Sequence, residues 1–558
     1  MSVTALFVLL ISGALAGTGD PLLDALQAEV ARAMTDLAEA EDPPYYIAAE
    51  ITERTSVFMN AEDGALHGYA PTTSRNVDVD VRIGKRELDS SHALRSGGDR
   101  GGSLGRRLPL TDDVGLLRRD IWRELDARVL SARERWAKVQ SDEAILVEEE
   151  PGLDLAPVAD QPVELLDQPK LDIDPTTWEE PLRRASAILA QDDVVRDGSI
   201  SLSAATNNSW FVSSEGTAVR HGRVEYSVLA QVDTIADDGT VLRLSKRWAT
   251  QSAASLPRQD ELAAGVSELH ALLTELRAAP EQEPYSGPIV LSDRSAGVFF
   301  HEIFGHRMEG QRLKRIDNAQ TFKDMIGEEI LPTFLSVADD PTLPSLDDVD
   351  LRGHYAFDNE GVRAERAVLV EDGILRGFLQ SRSTVRPEDA SNGHGRRSSG
   401  RLPVTRQGSL IVTASKSVTD DQLREKLRKA AKDADLPYGL WIDDIQGGFT
   451  FTNRGMPNAF NVNVLVARRI WVDGRDDQLV RGVDLIGTPL VAFSRIAAAG
   501  ERTEVFNGNC GAESGWVPVS AMAPSLLVTQ LETQRKAKGQ NTPPLLPAPR
   551  EDGAADAP

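Results

Sequence analysis

The chain has 558 residues, 41 % of them apolar and 26 % charged, with a formal net charge of -25 and a pI near 4.8. That composition excludes a disordered or membrane-spanning protein, and the length suffices for more than one hydrophobic core. Its acidity argues against nucleic acid as a ligand, because a phosphate backbone is neutralised by clustered Lys and Arg.

Residues 1–16, MSVTALFVLLISGALA, join the apolar run Ala5 to Ile11 to the small-residue ending Ala14-Leu15-Ala16, which reads as a signal peptide although no Lys or Arg precedes the run. The expectation is export, periplasmic or secreted, with no membrane attachment after cleavage; an uncleaved chain would remain cytoplasmic. Leu23, Leu26, Val30, Met34 and Leu37 then recur at helical spacing, and YYIAAEITERTSVFMN, GALHGYAP and SRNVDVDVRIGKREL read as strands. A helix is predicted from about Asp112 to Val139, followed over 141–175 by an acidic, Pro-rich connector. A short helix follows it. Three antiparallel strands after Trp210 and a helix from about Gln259 to Ala278 complete an N-terminal α+β domain over 20–285.

The second domain, 286–535, opens with the strand PIVLS and a helix carrying HEIFGHRMEG. Beyond Thr333, the patterns AVLVEDGILRGFLQS, GSLIVTAS, GFTFTN and FNVNVLVARRIWVDG imply mostly antiparallel sheet, so the fold class is α+β in two domains, the second carrying one metal-binding helix. The Pro- and Ala-rich 536–558 reads as a disordered tail.

HEIFGHRMEG poses the functional question. A helix advances roughly 100° per residue, so His301 and His306, five apart, lie about 140° from each other on a regular helix and cannot grip one ion. A single π-turn absorbs one extra residue, and Gly305 eases such a distortion. With the helix widened, two imidazoles can hold a divalent cation, most naturally Zn2+, while Glu302 takes a proton from water as general base. The competing reading is a helix whose histidines only pack or cap.

A third ligand would come from Glu309, on roughly the same face as His306, or from Cys510 in NGNCGAESG. Cys510 is the single cysteine and cannot form an intramolecular disulfide; it is either a small buried hydrophobe or a thiol protected by a metal. A blue-copper centre with Met308 as axial ligand is disfavoured by the glutamate beside a ligand.

HEIFGHRMEG, DNEGVRAERAVLVEDGILRGFLQSR, SNGHGRRSSGRLPVTR and NCGAESGWVPVS together resemble the TldD/PmbA family of metallopeptidases, over about residues 285 to 535. The resemblance implies one Zn2+ per protomer on His301, His306 and Cys510, with Glu302 as general base. It further implies hydrolysis of peptides or unfolded segments in an enclosed cavity, by a homodimer or by a heterodimer with a TldE-like subunit. His394, Arg396 and Arg397 fall in a loop similar to a substrate-facing element of the family. Gln311, Gly408, Ala512 and Glu513 depart from the family pattern, which bears on cavity lining and substrate preference. The alternatives are a non-catalytic exported binding or scaffold subunit like TldE, and a hydrolase with Cys510 as nucleophile.

Overall fold

The computed structural model describes residues 18–94, 105–143, 152–314, 321–450 and 460–536. The expected leader, 1–16, residues 537–558 of the tail and the second half of GFTFTN lie outside the described residues.

The principal elements of the N-terminal half are α1 (Pro21–Asp36), β1 (Pro44–Glu62), β2 (Ala65–Lys85), α2 (Val114–Glu143), β3 (Val163–Leu165), α3 (Glu179–Leu189), β4 (Asp197–Ser213), β5 (Ala218–Ile235), β6 (Val241–Thr250) and α4 (Gln259–Ala278). Helix α1 starts where the Asp20 carboxylate accepts the backbone N–H groups of Leu22 and Leu23, with Pro21 at the first helical position. The sheet runs β2-β1-β4-β5, with β6 and the short parallel β3 on the far edge of β5.

Strand periodicity decides what each face meets. On β1 the odd-numbered Ile47, Ala49, Ile51, Val57, Met59 and Ala61 are buried in the two helix-covered cores, one under α1 and α2 and the other under α3 and α4. The even-numbered Tyr46, Ala48 and Glu50 face the opposite way, toward the C-terminal half, where Tyr46 and Ala48 pack with Phe211 and Phe357. The acidic connector does more than wrap the surface. It contributes β3 to the sheet, and Ala156 N–H donates to the Arg382 carbonyl at 2.6 Å while Arg382 donates back to the Ala156 carbonyl.

The C-terminal half comprises β7 (Tyr285–Leu291), α5 (Asp293–Phe299), β8 (Leu335–Asp339), β9 (Ala367–Glu371), β10 (Ser409–Ala414), α6 (Asp420–Asp433), β11 (Tyr438–Thr450), β12 (Phe460–Trp471), β13 (Val483–Gly487), α7 (Pro489–Ser494), β14 (Ile496–Ala512) and β15 (Gly515–Arg535), with shorter pieces between. Its sheet runs β9-β8-β10-β15-β13-β12-β11-β7, and β7 pairs back onto β15, so the last five strands close on themselves. Mostly antiparallel strands in two domains make the fold α+β.

Besides the expected metal-binding helix, this half carries α6 and the short α7. Helix α6 has a capping box, Thr419 with Gln422, but buries only Leu423, Leu427 and Ala431, a stripe too thin to register beside its many charges. By contrast, the histidine segment is buried outright. Phe299, Phe300 and Phe304 are fully enclosed and pack edge-on or tilted around Phe493, at about 1.5–3 kcal/mol each from burial, which fixes this segment inside the closed sheet.

Candidate metal centre

Helix α5 is regular only to Phe299; residues Phe300–Phe304 form a π-turn and Gly305–Arg307 a 3-10 turn. The wider turn carries the extra residue of HEIFGH and brings the His301 and His306 rings to 5.2 Å between centroids. Gly305 is required here for close approach, since a Cβ at that position would lie 1.9 Å from Gln407 Oε1. Gln407 in turn donates to the His301 carbonyl at 3.2 Å, holding the end of the turn.

Cys510 reaches the same point from 204 residues away. Its Sγ lies 3.4 Å from His306 Nε2, and donor atoms of His301, His306 and Cys510 all lie within 4.8 Å of one another, every one of the residues buried. The glycines of NGNCGAESG read as a loop around this cysteine. Instead Cys510 sits within β14, paired with Val517 of β15, and the hairpin turns at Glu513 and Ser514, with Gly515 at φ +87°. A strand holds the thiol more rigidly than a loop could.

Glu309, the other candidate ligand, takes a different place. Its Oε1 lies 3.2 Å from His306 Nδ1 and its Oε2 accepts from Arg312 Nε at 2.5 Å, so it supports the imidazole from behind. Nδ1 donates to the carboxylate, and Nε2 is the ring atom turned toward Cys510. Arg406, fully buried, links the two halves of the arrangement. It lies 3.5 Å from Glu309 Oε1 and donates to the Cys510 carbonyl at 2.7 Å and to Ser514 Oγ at 2.9 Å. Sequence reasoning gave Arg406 and Gln407 no role; the only signal was the position of Arg406 in LPVTR.

Charge follows this geometry. Burial raises the Cys510 thiol, but the neighbouring His306 and His301 outweigh it and hold the thiol well below its ordinary value. For His306, burial alone would lower the imidazole, yet Cys510 and Glu309 hold it well above its usual range. Without a cation the donors therefore form a thiolate facing a protonated His306, whose proton leaves as a cation is taken up. His301 Nδ1 is buried with no hydrogen-bond partner, and two imidazoles beside one thiolate are a donor set that fits a divalent metal ion. Glu302 stands beside the donors, half-buried, with Oε2 4.0 Å from His306 Nε2. Across from it is Gly447, where a Cβ would lie 3.7 Å from Glu302 Oε1.

The three loop residues separate in the structure. His394 is fully buried, with Nδ1 against Asn392 and Nε2 3.3 Å from Asp339, and it does not line the large cavity between the two sheets. Arg396 and Arg397 both line that cavity, whose volume is about 820 Å³. Arg397 is bound to Glu50 and Asp78 of the N-terminal sheet. Val517, which pairs with Cys510, lines the same cavity, so the metal centre lies one strand from its wall.

Residues 284–535 match the PmbA/TldA metallopeptidase C-terminal domain. Among relatives, the chain is 30 % identical over 308 residues to a metalloprotease of Archaeoglobus fulgidus, covering 54 % of this chain and 66 % of that one. It is 29 % identical over 248 residues to a TldD-homologue metalloprotease of Haemophilus influenzae, covering 44 % and 47 %. The matched region thus spans between about half and about two thirds of these relatives. The fold superposes on TldE from Thermococcus kodakarensis with a TM-score of 0.57 at 13 % identity, over 91 % of this chain and 100 % of that one. Motifs, domain match and fold agree, and the chain belongs to the TldD/PmbA family.

Proposed function

We propose that this protein is a metallopeptidase that hydrolyses peptides or unfolded segments with one zinc ion held by His301, His306 and Cys510. The observation that carries this reading is the convergence of the three buried donors with Glu302 4.0 Å from His306 Nε2. A divalent cation there would lower the pKa of water and polarise a peptide carbonyl. Glu302 takes the proton from the attacking water and delivers it to the departing amine. Glu309 and Arg406 hold His306 and the Cys510 strand in register, and the cavity of about 820 Å³ is within the range that encloses a ligand of several residues' bulk. The family membership supports dimerisation, with a second copy or with a TldE-like subunit, and the leader-like 1–16 supports export.

Elemental analysis of the purified protein beside Cys510→Ala tests the centre. One zinc per chain in the parent and none in the variant is the expected result; a metal-free parent that is active overturns it. The 3.4 Å contact between Cys510 Sγ and His306 Nε2 also suits a thiolate nucleophile with an imidazole base. Under that second reading, activity survives chelation and is lost on thiol alkylation of the metal-free protein.

A further inference from the structure

Among the described residues, five guanidinium groups and five carboxylates line the cavity between the sheets, but they are not paired one to one. On the N-terminal sheet, Arg54, Asn207 and Arg223 form one cross-strand row, Arg54 opposite Asn207 and Asn207 opposite Arg223. Two cations thus project from the same face on either side of one strand, and Asn207 accepts from Arg54 at 2.9 Å. The half-buried Arg223 guanidinium makes no hydrogen bond or ion pair among the described residues. Burial and the charge of Arg396, opposed by Glu225 and reinforced by Arg352 and Arg54, push its pKa down to about 10, which leaves it protonated at neutral pH.

The facing wall adds to this charge. Arg396 is buried against the Tyr355 ring at 4.6 Å and donates to the Gln407 carbonyl, with no carboxylate in ion-pair reach among the described residues. Arg352 pairs with Glu225 at 2.7 Å, yet its Nε is buried without a partner. Of the other carboxylates, Asp167 is exposed and forms no ion pair with these arginines, and the rest are already engaged. Glu50 holds Arg397, Asp350 accepts from Thr250 and Gln251, and Asp358 accepts three backbone N–H groups. Uncompensated buried guanidinium charge is costly, and in a chain of net charge -25 it marks a place where an anion completes the structure.

We propose that Arg223, with Arg54, Arg352 and Arg396, forms a subsite for a carboxylate of the substrate, either the C-terminal carboxylate of a peptide or an Asp or Glu side chain. Guanidinium groups match carboxylates in shape and charge. The subsite shares its cavity with Val517, which pairs with Cys510 on the neighbouring strand. This inference rests on the peptidase reading above and adds a substrate class to it: the enzyme selects peptides with a negative charge set back from the bond that is cut.

The test measures binding without turnover. Zinc-loaded Glu302→Gln protein is titrated against a fluorescein-labelled octapeptide of neutral side chains as the free acid, as the C-terminal amide, and as the amide with one internal Glu. One of the two charged forms is expected to bind about tenfold more tightly than the neutral amide, equivalent to about 1.4 kcal/mol; the form that gains identifies the source of the carboxylate. Arg223→Gln lowers that form to the affinity of the neutral amide, and Arg223→Lys retains part of the gain. Equal binding of the three peptides by the parent overturns the proposal whatever the variants do, as does a gain that persists in Arg223→Gln. Hydrolysis by the Glu302-intact protein reports separately. Acid-selective binding without hydrolysis removes the peptidase reading alone, and hydrolysis without acid preference removes this one alone.

Discussion

Replacing Glu309 tests whether the centre depends on residues behind its donors. The carboxylate is fully buried and faces three cationic groups, with His306 at 3.2 Å, Arg312 at 2.5 Å and Arg406 at 3.5 Å. Burial alone would raise its pKa, but Arg312, His306 and Arg406 outweigh that and hold it far below the ordinary 4.5. It is therefore ionised throughout the neutral and mildly acidic range. A depressed carboxyl contributes stability above its unfolded pKa, and that contribution fades only as pH falls toward the folded value. Breaking a buried ion pair on one side costs about 3–5 kcal/mol. Glu309→Gln still offers His306 an acceptor and belongs at about 3 kcal/mol, while Glu309→Ala, which leaves Arg406 facing a void, belongs at the upper end. Removing the partner of a metal-binding histidine weakens metal affinity by about 10–100-fold. Zinc competition against a chromophoric chelator and urea unfolding measure the two effects. If both variants bind zinc within about twofold of the parent, Glu309 does not orient His306.

Three further outcomes follow from the same geometry. Glu302→Gln keeps its zinc by elemental analysis and loses about 10²–10⁴-fold in kcat, the usual contribution of a positioned proton acceptor; loss of metal would assign Glu302 to the ligands instead. Gly305→Ala, whose Cβ would meet Gln407 Oε1 at 1.9 Å, destabilises the protein by about 1–3 kcal/mol in urea, and Gln407→Ala in the same chain recovers part of it. His221 is neutral in the fold, because burial and the neighbouring Arg223 lower its pKa from 6.5 to about 4. The unfolded chain then takes up this proton first, so the contribution to stability is complete above pH 6.5 and declines as pH falls toward 4; His221→Phe should flatten that part of the urea-midpoint profile.

Local features of the site were legible because they depend on spacing along one segment. Three residues between Glu302 and His306 demand a widened turn, and the π-turn at Phe300–Phe304 supplies it. Strand alternation in NVDVDVRI likewise appears in β2, where Val77, Val79 and Val81 enter the core. Helix α6 was not legible, since three buried residues among many charges give too weak a period. Glu309 could not be told from a ligand by position, because helical spacing puts it near His306 without saying which ring nitrogen it meets. The inward burial of His394 against Asp339 depends on a contact 55 residues away.

The sequence by itself indicated the candidate donors and the distortion that lets His301 and His306 share one direction, since backbone geometry over six residues fixes that turn. Only the tertiary structure decided that Cys510 joins them, because sheet register and the Arg406 bridge between Glu309 and the Cys510 carbonyl bring strand β14 to the π-turn. It also decided that Arg54 and Arg223 share a face with Asn207 between them. With a side-chain period of two, a slip of one residue in that pairing would turn the row of charges away from the cavity.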